Sequence, residues 1–330
     1  MATTCSLTFL LLFHLSFYLN FTSFALKQVS SSSIASHQIK FWSENVHNQM
    51  PESVFKKLSP LTKKDQDYYT NMISKNKFTE NPSFCSVAKL SCSSKFDDFK
   101  RAAILKYNGA TTIQSKNVDK FSYFRLSILR EGNKFHLPDL VENIPNRAFL
   151  PQEIASKISI SRRNIRKIFP KSFKLSKNSI ETTLSYCNAK PINEEIKNCP
   201  KSLEEMISFS KLALGKNKLL ALASQSAKRG DFLIKKVEKF DRQKIVACHE
   251  VYLPFAVYFC HSVSSSQIYA VNLVEAESQL PVKTVIGICH MDTSAWPENH
   301  VAFKILNFSP GEGEACHWMS NIDLAWIADD

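Results

Sequence analysis

Four Cys-His dipeptides, Cys248-His249, Cys260-His261, Cys289-His290 and Cys316-His317, fall in the last quarter of the chain. The first three sit in apolar, β-branched runs of the kind that form strands, and the fourth in the short apolar run ACHWMS. Adjacent residues of a strand point to opposite faces of its sheet, so each dipeptide sends its sulfur one way and its imidazole the other. The first two pairs flank Pro254 symmetrically. That segment therefore reads as a hairpin with Cys248 and Cys260 on one face and His249 and His261 on the other.

The state of the sulfurs depends on the compartment, which the N-terminus indicates. Leu7 to Leu19 is an apolar core followed by small Ser23 and Ala25, the pattern of a secretory leader cleaved after residue 25. Cleavage removes Cys5 and leaves eight cysteines, an even number in an oxidising environment, which reads as disulfides. Cys85 with Cys92 and Cys187 with Cys199 are close in sequence and read as local bridges. Cys248, Cys260, Cys289 and Cys316 then form two more. Four cysteines allow three pairings, and the hairpin is compatible with 248–260. Oxidised sulfurs are not ligands, which leaves His249, His261, His290 and His317 as candidate metal ligands. Imidazole nitrogen suits copper in particular. A mixed Cys-His zinc site would need the reduced thiolates that export disfavours.

Other residues carry weaker signals. Glu312 and Glu314 flank the fourth pair and are candidates to orient a ligand histidine. Trp318, Trp326, Tyr252 and Tyr258 read as core. Asn307-Phe308-Ser309 is a glycosylation sequon at Asn307. The formal charge of +12 favours polyanionic partners, which outside the cell are acidic polysaccharides and anionic surfaces rather than nucleic acid. No segment after the leader is apolar enough to span a bilayer.

Four regions are expected: the leader, 1–25; an N-terminal region, 26–84; a spacer, 85–120; and a dense globular region, 121–330. The globular region opens with helical patterns. These are QEIASKI behind Pro151, SRRNIRKIF stopped by Pro170, and SLEEMISFSKLALG with a capping box at Ser202 and Glu205 and a stop at Gly215. Strand-like runs follow: KLLALAS, DFLIKKVEKF, KIVACHEVY, FAVYFCHSV, QIYAVNLVE, KTVIGICHM, HVAFKIL, ACHWMS and LAWIA. Helices followed by short antiparallel strands make the fold class α+β, with a disulfide-stabilised sheet or sandwich carrying the four pairs.

The series of gaps is itself distinctive. Ten residues separate His249 from Cys260, 27 separate His261 from Cys289, 25 separate His290 from Cys316, and eight separate His317 from Trp326. This series resembles the signature of the BURP domain, a module of secreted plant proteins. RLSILREGNKFHLPDLVENIPNRAFLPQEIASKI, HMDTSAWPENHVAF and ACHWMSNIDLAWIADD are similar to the branch of polygalacturonase non-catalytic beta subunits. So are FW…KLSPLTKKD and FCSVAKLSC upstream. The branch's long Gly-rich tract of F-x-x-Y repeats is largely missing, reduced to FDDF and FSYF. The resemblance implies a secreted protein of the cell wall or apoplast, not itself catalytic, which associates with pectin and with a polygalacturonase. The residues agree, since glycoside hydrolysis would need paired carboxylates that the pattern does not offer. The alternative it implies is a copper-dependent peptide macrocyclase, in which the four histidines hold the metal. Fused cyclases carry recurrent core peptides, and only a lone DQDYY at Asp65–Tyr69 stands here.

Overall fold

The computed structural model describes residues 33–96, 119–225, 227–277 and 281–329. The expected leader, Cys5 and most of the spacer lie outside the described residues.

Four helices come first: α1 (Ile34–Asn45), α2 (Glu52–Phe55), α3 (Lys63–Ser74) and α4 (Pro82–Val87). Local chemistry sets their starts. Ser33 accepts from Ser36 N–H, Thr62 and Asp65 form a complete capping box, and Asn81 accepts from Phe84 N–H, each satisfying donors that a helix leaves free at its first turn. The DQDYY segment belongs to α3. Its Tyr69 packs against Phe78 and Phe84.

Next come β1 (Tyr123–Phe124) and β2 (Lys134–Leu137). They precede the helices α5 (Gln152–Lys157), α6 (Arg162–Ile168), α7 (Pro170–Leu175) and α8 (Lys177–Asn188). Pro170 ends α6 and opens α7 at its first position, where proline's missing N–H costs nothing. Strand β3 (Glu195–Asn198) leads into α9 (Leu203–Leu214). Ser202 caps α9 as expected, but the Glu205 carboxylate accepts from Lys201 N–H instead of closing the box on Ser202. Gly215 ends it at φ +67°, a left-handed conformation that glycine adopts without strain.

The remaining strands are β4 (Leu219–Leu222), β5 (Gly230–Phe240), β6 (Val246–Tyr252), β7 (Ala256–Val263), β8 (Ser266–Glu275), β9 (Pro281–His290), β10 (Ala315–Trp318) and β11 (Leu324–Ala328). HVAFKIL departs from the expectation of a strand: Val301–Leu306 is helix α10. The His300 ring accepts from Ala302 N–H at its start, and Asn307 ends it with φ 55°. These two caps, not the β-branched composition, decide the conformation.

The strands form two antiparallel sheets, a six-stranded one in the order β1-β10-β9-β8-β5-β2 and a five-stranded one in the order β3-β7-β6-β11-β4. The chain crosses from one sheet to the other at Ser264 and Ser265, between β7 and β8. Ile268, Ile286 and Ile288 of one sheet meet Ala247, Ala325 and Ile327 of the other, so alternation along each strand supplies the layer between sheets. The outer face of the five-stranded sheet is covered by helices, with Trp326 buried against Trp42 of α1. Helices α5 to α8 pack with α3 and α4 over the tip of the β6–β7 hairpin. The first 64 described residues, 33–96, are thus built into the same cores as the strands.

Candidate functional site

The β6–β7 hairpin pairs Cys248 opposite Cys260, and places Ala247 opposite His261 and His249 opposite Phe259. In the other sheet β9 and β10 repeat the arrangement: Cys289 faces Cys316, Ala315 faces His290, and His317 faces Ile288. Both cross-strand cysteine pairs are disulfides, and Cys85–Cys92 and Cys187–Cys199 are the other two. The bridged sulfurs lie on the outward faces, among Trp326 and Tyr258 in one sheet and Trp318 and Phe124 in the other. The period of two then turns all four histidines inward. Each sheet contributes two, and they meet between the sheets.

The four rings form a closed circuit. Centroids are 5.6 Å apart for His249–His261, 6.2 Å for His261–His290, 5.5 Å for His290–His317 and 5.5 Å for His317–His249. None of the four residues is more than 7% exposed. Burial holds His261 and His290 below the ordinary imidazole range and pushes His317 down to about 3, and the neighbouring imidazoles push His290 and His317 the same way. The imidazoles of these three are therefore neutral at pH 7.

An outer ring of partners meets the Nδ1 atoms. His249 Nδ1 is 3.4 Å from Asp323 Oδ2, His261 Nδ1 is 3.3 Å from Glu195 Oε1, His290 Nδ1 is 3.0 Å from Ser266 Oγ, and His317 Nδ1 is 3.4 Å from the Trp318 carbonyl. With its proton on Nδ1, facing these oxygens, each ring would leave the Nε2 lone pair for a ligand, as in metal sites whose histidines lean on carboxylates. Asp323 is itself clamped, accepting from Glu250 N–H at 2.9 Å and Ser320 N–H at 3.1 Å. Beside the circuit Trp296 stands 5.2 Å from His290 and 4.4 Å from His300, while Tyr123 lies 6.2 Å from His317 and 5.7 Å from His300. His300, almost fully buried, is pushed down to about 3 by desolvation.

The donor set thus suits copper or zinc in atom type, with His261, His290 and His317 held neutral by burial. Its spacing is wider than a closed site. Among the described residues, the one trio of His, Cys, Asp or Glu ligand atoms lying within 4.8 Å of each other is Glu80, Cys85 and Cys92, where both sulfurs are spent in a disulfide. The imidazoles would have to turn inward to share one ion.

Several expectations change. Glu312 and Glu314 do not support the histidines: Glu312 accepts from Ser309 N–H, and Glu314 accepts from Leu126 N–H and pairs with Arg125. Their place beside the fourth pair is a loop contact. Asp323 and Glu195 take the supporting role, and the residue pattern gave no signal for either. Trp318, Trp326, Tyr252 and Tyr258 are buried. Asn307 is exposed at the end of α10. Among the described residues no helix is long and apolar enough to cross a membrane.

Comparison with known proteins adds an independent line. The family model for the BURP domain matches residues 122–328. Polygalacturonase 1 beta-like protein 1 of Arabidopsis thaliana is 34% identical over 252 residues, 72% of this chain and 40% of its own length. Polygalacturonase-1 non-catalytic subunit beta of Solanum lycopersicum is 32% identical over 237 residues, 69% of this chain and 38% of its own. The chain therefore spans about two fifths of the length of these relatives. BURP domain-containing protein 16 of Oryza sativa subsp. japonica is 28% identical over 311 residues, 88% of this chain and 89% of its own.

Proposed function

Because the chain belongs to the BURP-domain family, we propose that it is a secreted, non-catalytic protein of the plant cell wall that associates with pectin and a polygalacturonase and modulates pectin metabolism. The likeness to relatives named as non-catalytic polygalacturonase subunits carries this reading. The +12 formal charge supports it, since a cationic surface is drawn to a polyuronate. Burial of the histidine circuit supports its non-catalytic part, because a polyuronate chain does not reach side chains sealed between two sheets. The test is retention of the full chain on immobilised polygalacturonate, with and without a plant polygalacturonase. Retention at low salt that weakens steeply by physiological salt, with the enzyme co-retained, is the expected result. Absence of retention at low salt overturns it.

The circuit itself favours a second reading, a copper centre of the kind a peptide macrocyclase uses. His249, His261, His290 and His317 would hold the ion through Nε2, while Asp323 and Glu195 orient two of the rings and Trp296 and Tyr123 close the apolar wall. Copper bound there would supply one-electron oxidation of an aromatic side chain. Copper content by mass spectrometry of the secreted protein, with quenching of Trp296 fluorescence on adding Cu(II), tests occupancy. Equal copper retention by the wild type and by a variant with all four histidines changed to Ala rules it out. The Asp65–Tyr69 segment, folded into α3, is not a free core peptide, so the substrate on this reading is a separate chain.

A further inference from the structure

A cleft of about 1130 Å³ opens where α2, the 144–147 loop and strands β4 and β9 meet. That is somewhat more than the roughly 300–1,000 Å³ of ordinary small-molecule pockets, and suits an extended chain better than a compact solute. At its base is a buried ion cluster. Lys57 Nζ lies 3.1 Å from Glu250 Oε2, and Arg147 Nη1 lies 3.0 Å from Glu250 Oε1, with side-chain exposures of 8%, 0% and 1% for Lys57, Arg147 and Glu250. Two cations thus share one carboxylate in a nearly dry setting, where uncompensated charge is costly. Arg147 also donates to the carbonyls of Pro145, Val251 and Phe255. Lys57 gives one N–H to the Ser53 carbonyl and faces Glu250 as an ion pair. The Ser53 hydroxyl, also on the cleft, is buried with no hydrogen-bond partner among the described residues.

The rim continues the theme. Lys283 and Asn146 are exposed on it, and Lys56 pairs there with Glu52. Lys56, Lys57, Lys283 and the underlying Arg147 outnumber the two carboxylates. An anion entering the cleft would balance the excess charge in surroundings that screen it less than bulk water does.

We propose that this cleft binds the carboxylate-bearing sugar residues of an acidic polysaccharide, with Lys57 and Lys283 meeting uronate carboxylates and Asn146 a ring hydroxyl. The assignment rests on the pectin association proposed above and gives it a location.

Isothermal titration of the full chain with a defined oligogalacturonate, and with its methyl-esterified form as the uncharged control, tests it. Lys283→Glu and Asn146→Asp alter the exposed rim without touching the buried cluster, and Lys235→Glu makes the same charge change at an exposed site on β5. The expected result is binding of the free acid over the ester, weakened about tenfold or more by Lys283→Glu, weakened by Asn146→Asp, and little changed by Lys235→Glu. Wild-type protein that binds neither oligogalacturonate nor immobilised polygalacturonate defeats the pectin reading and the cleft together. Binding that survives both rim variants defeats the cleft alone. So does equal weakening by Lys235→Glu, which makes the attraction a property of diffuse surface charge.

Discussion

Neutral imidazoles buried between two sheets tie folding to pH. His261, His290, His300 and His317 all have proton affinities depressed by burial, so the unfolded chain binds protons that the folded one refuses. Stability is complete above the unfolded histidine value of about 6.5 and falls as pH drops below it, at a slope approaching ~1.4 kcal/mol per pH unit for each such histidine. Urea denaturation of the metal-free protein should show the midpoint dropping steeply between about pH 6.5 and pH 5, above the carboxylate range. A flat midpoint there would mean that His261, His290, His300 and His317 are not jointly neutral. If the circuit holds copper, as the second reading proposes, binding should for the same reason persist below the range in which exposed histidines lose their metal. Asp323 is the residue to change beside them. Asp323→Ala strands two buried N–H groups, at about 1–3 kcal/mol each. Asp323→Asn keeps an acceptor and should lose less when both are unfolded in urea. The histidines were legible in the sequence because the dipeptide repeats; Asp323 was not, because it reaches His249 across 74 positions.

Hairpins and caps show where local pattern suffices. Alternating apolar runs gave the strands from KLLALAS to LAWIA, because a sheet with one face on a core and one on a neighbour imposes a period of two. HVAFKIL misled for a physical reason. Its Val, Phe and Ile favour strands, but a histidine cap and a left-handed Asn close it into a helix, and histidine is not among the usual capping residues. Division of the strands between two sheets was also not legible, since nothing local marks Ser264-Ser265 as a crossing. The bridges within these elements should differ in weight. Loop entropy gives about 3–4 kcal/mol for Cys289–Cys316, which spans 27 residues, and ~2 kcal/mol for Cys85–Cys92, which spans seven. Serine double replacements compared by urea midpoint should follow that order. The reverse order would show that native packing around the Cys85–Cys92 bridge outweighs loop length.

At the scale of the molecule, Trp42 on Trp326 joins the first described helix to the last strand. Ile34, Phe78 and Phe84 likewise share a core with Ile154, Ile180 and Phe255. Cutting the chain at a protease site introduced between residues 97 and 118 should leave two pieces that co-elute in size-exclusion chromatography and separate only in denaturant. The piece from 119 onward, produced alone, should bind a hydrophobic dye and aggregate, because it would bare the apolar face that α1 covers. Independent elution of the two native pieces would contradict this. Sequence similarity draws the edge of the family at residue 122, but the packed cores cross that edge. Exchanging the region from 122 onward between relatives would therefore transplant half of a core, and the earlier helices would have to travel with it.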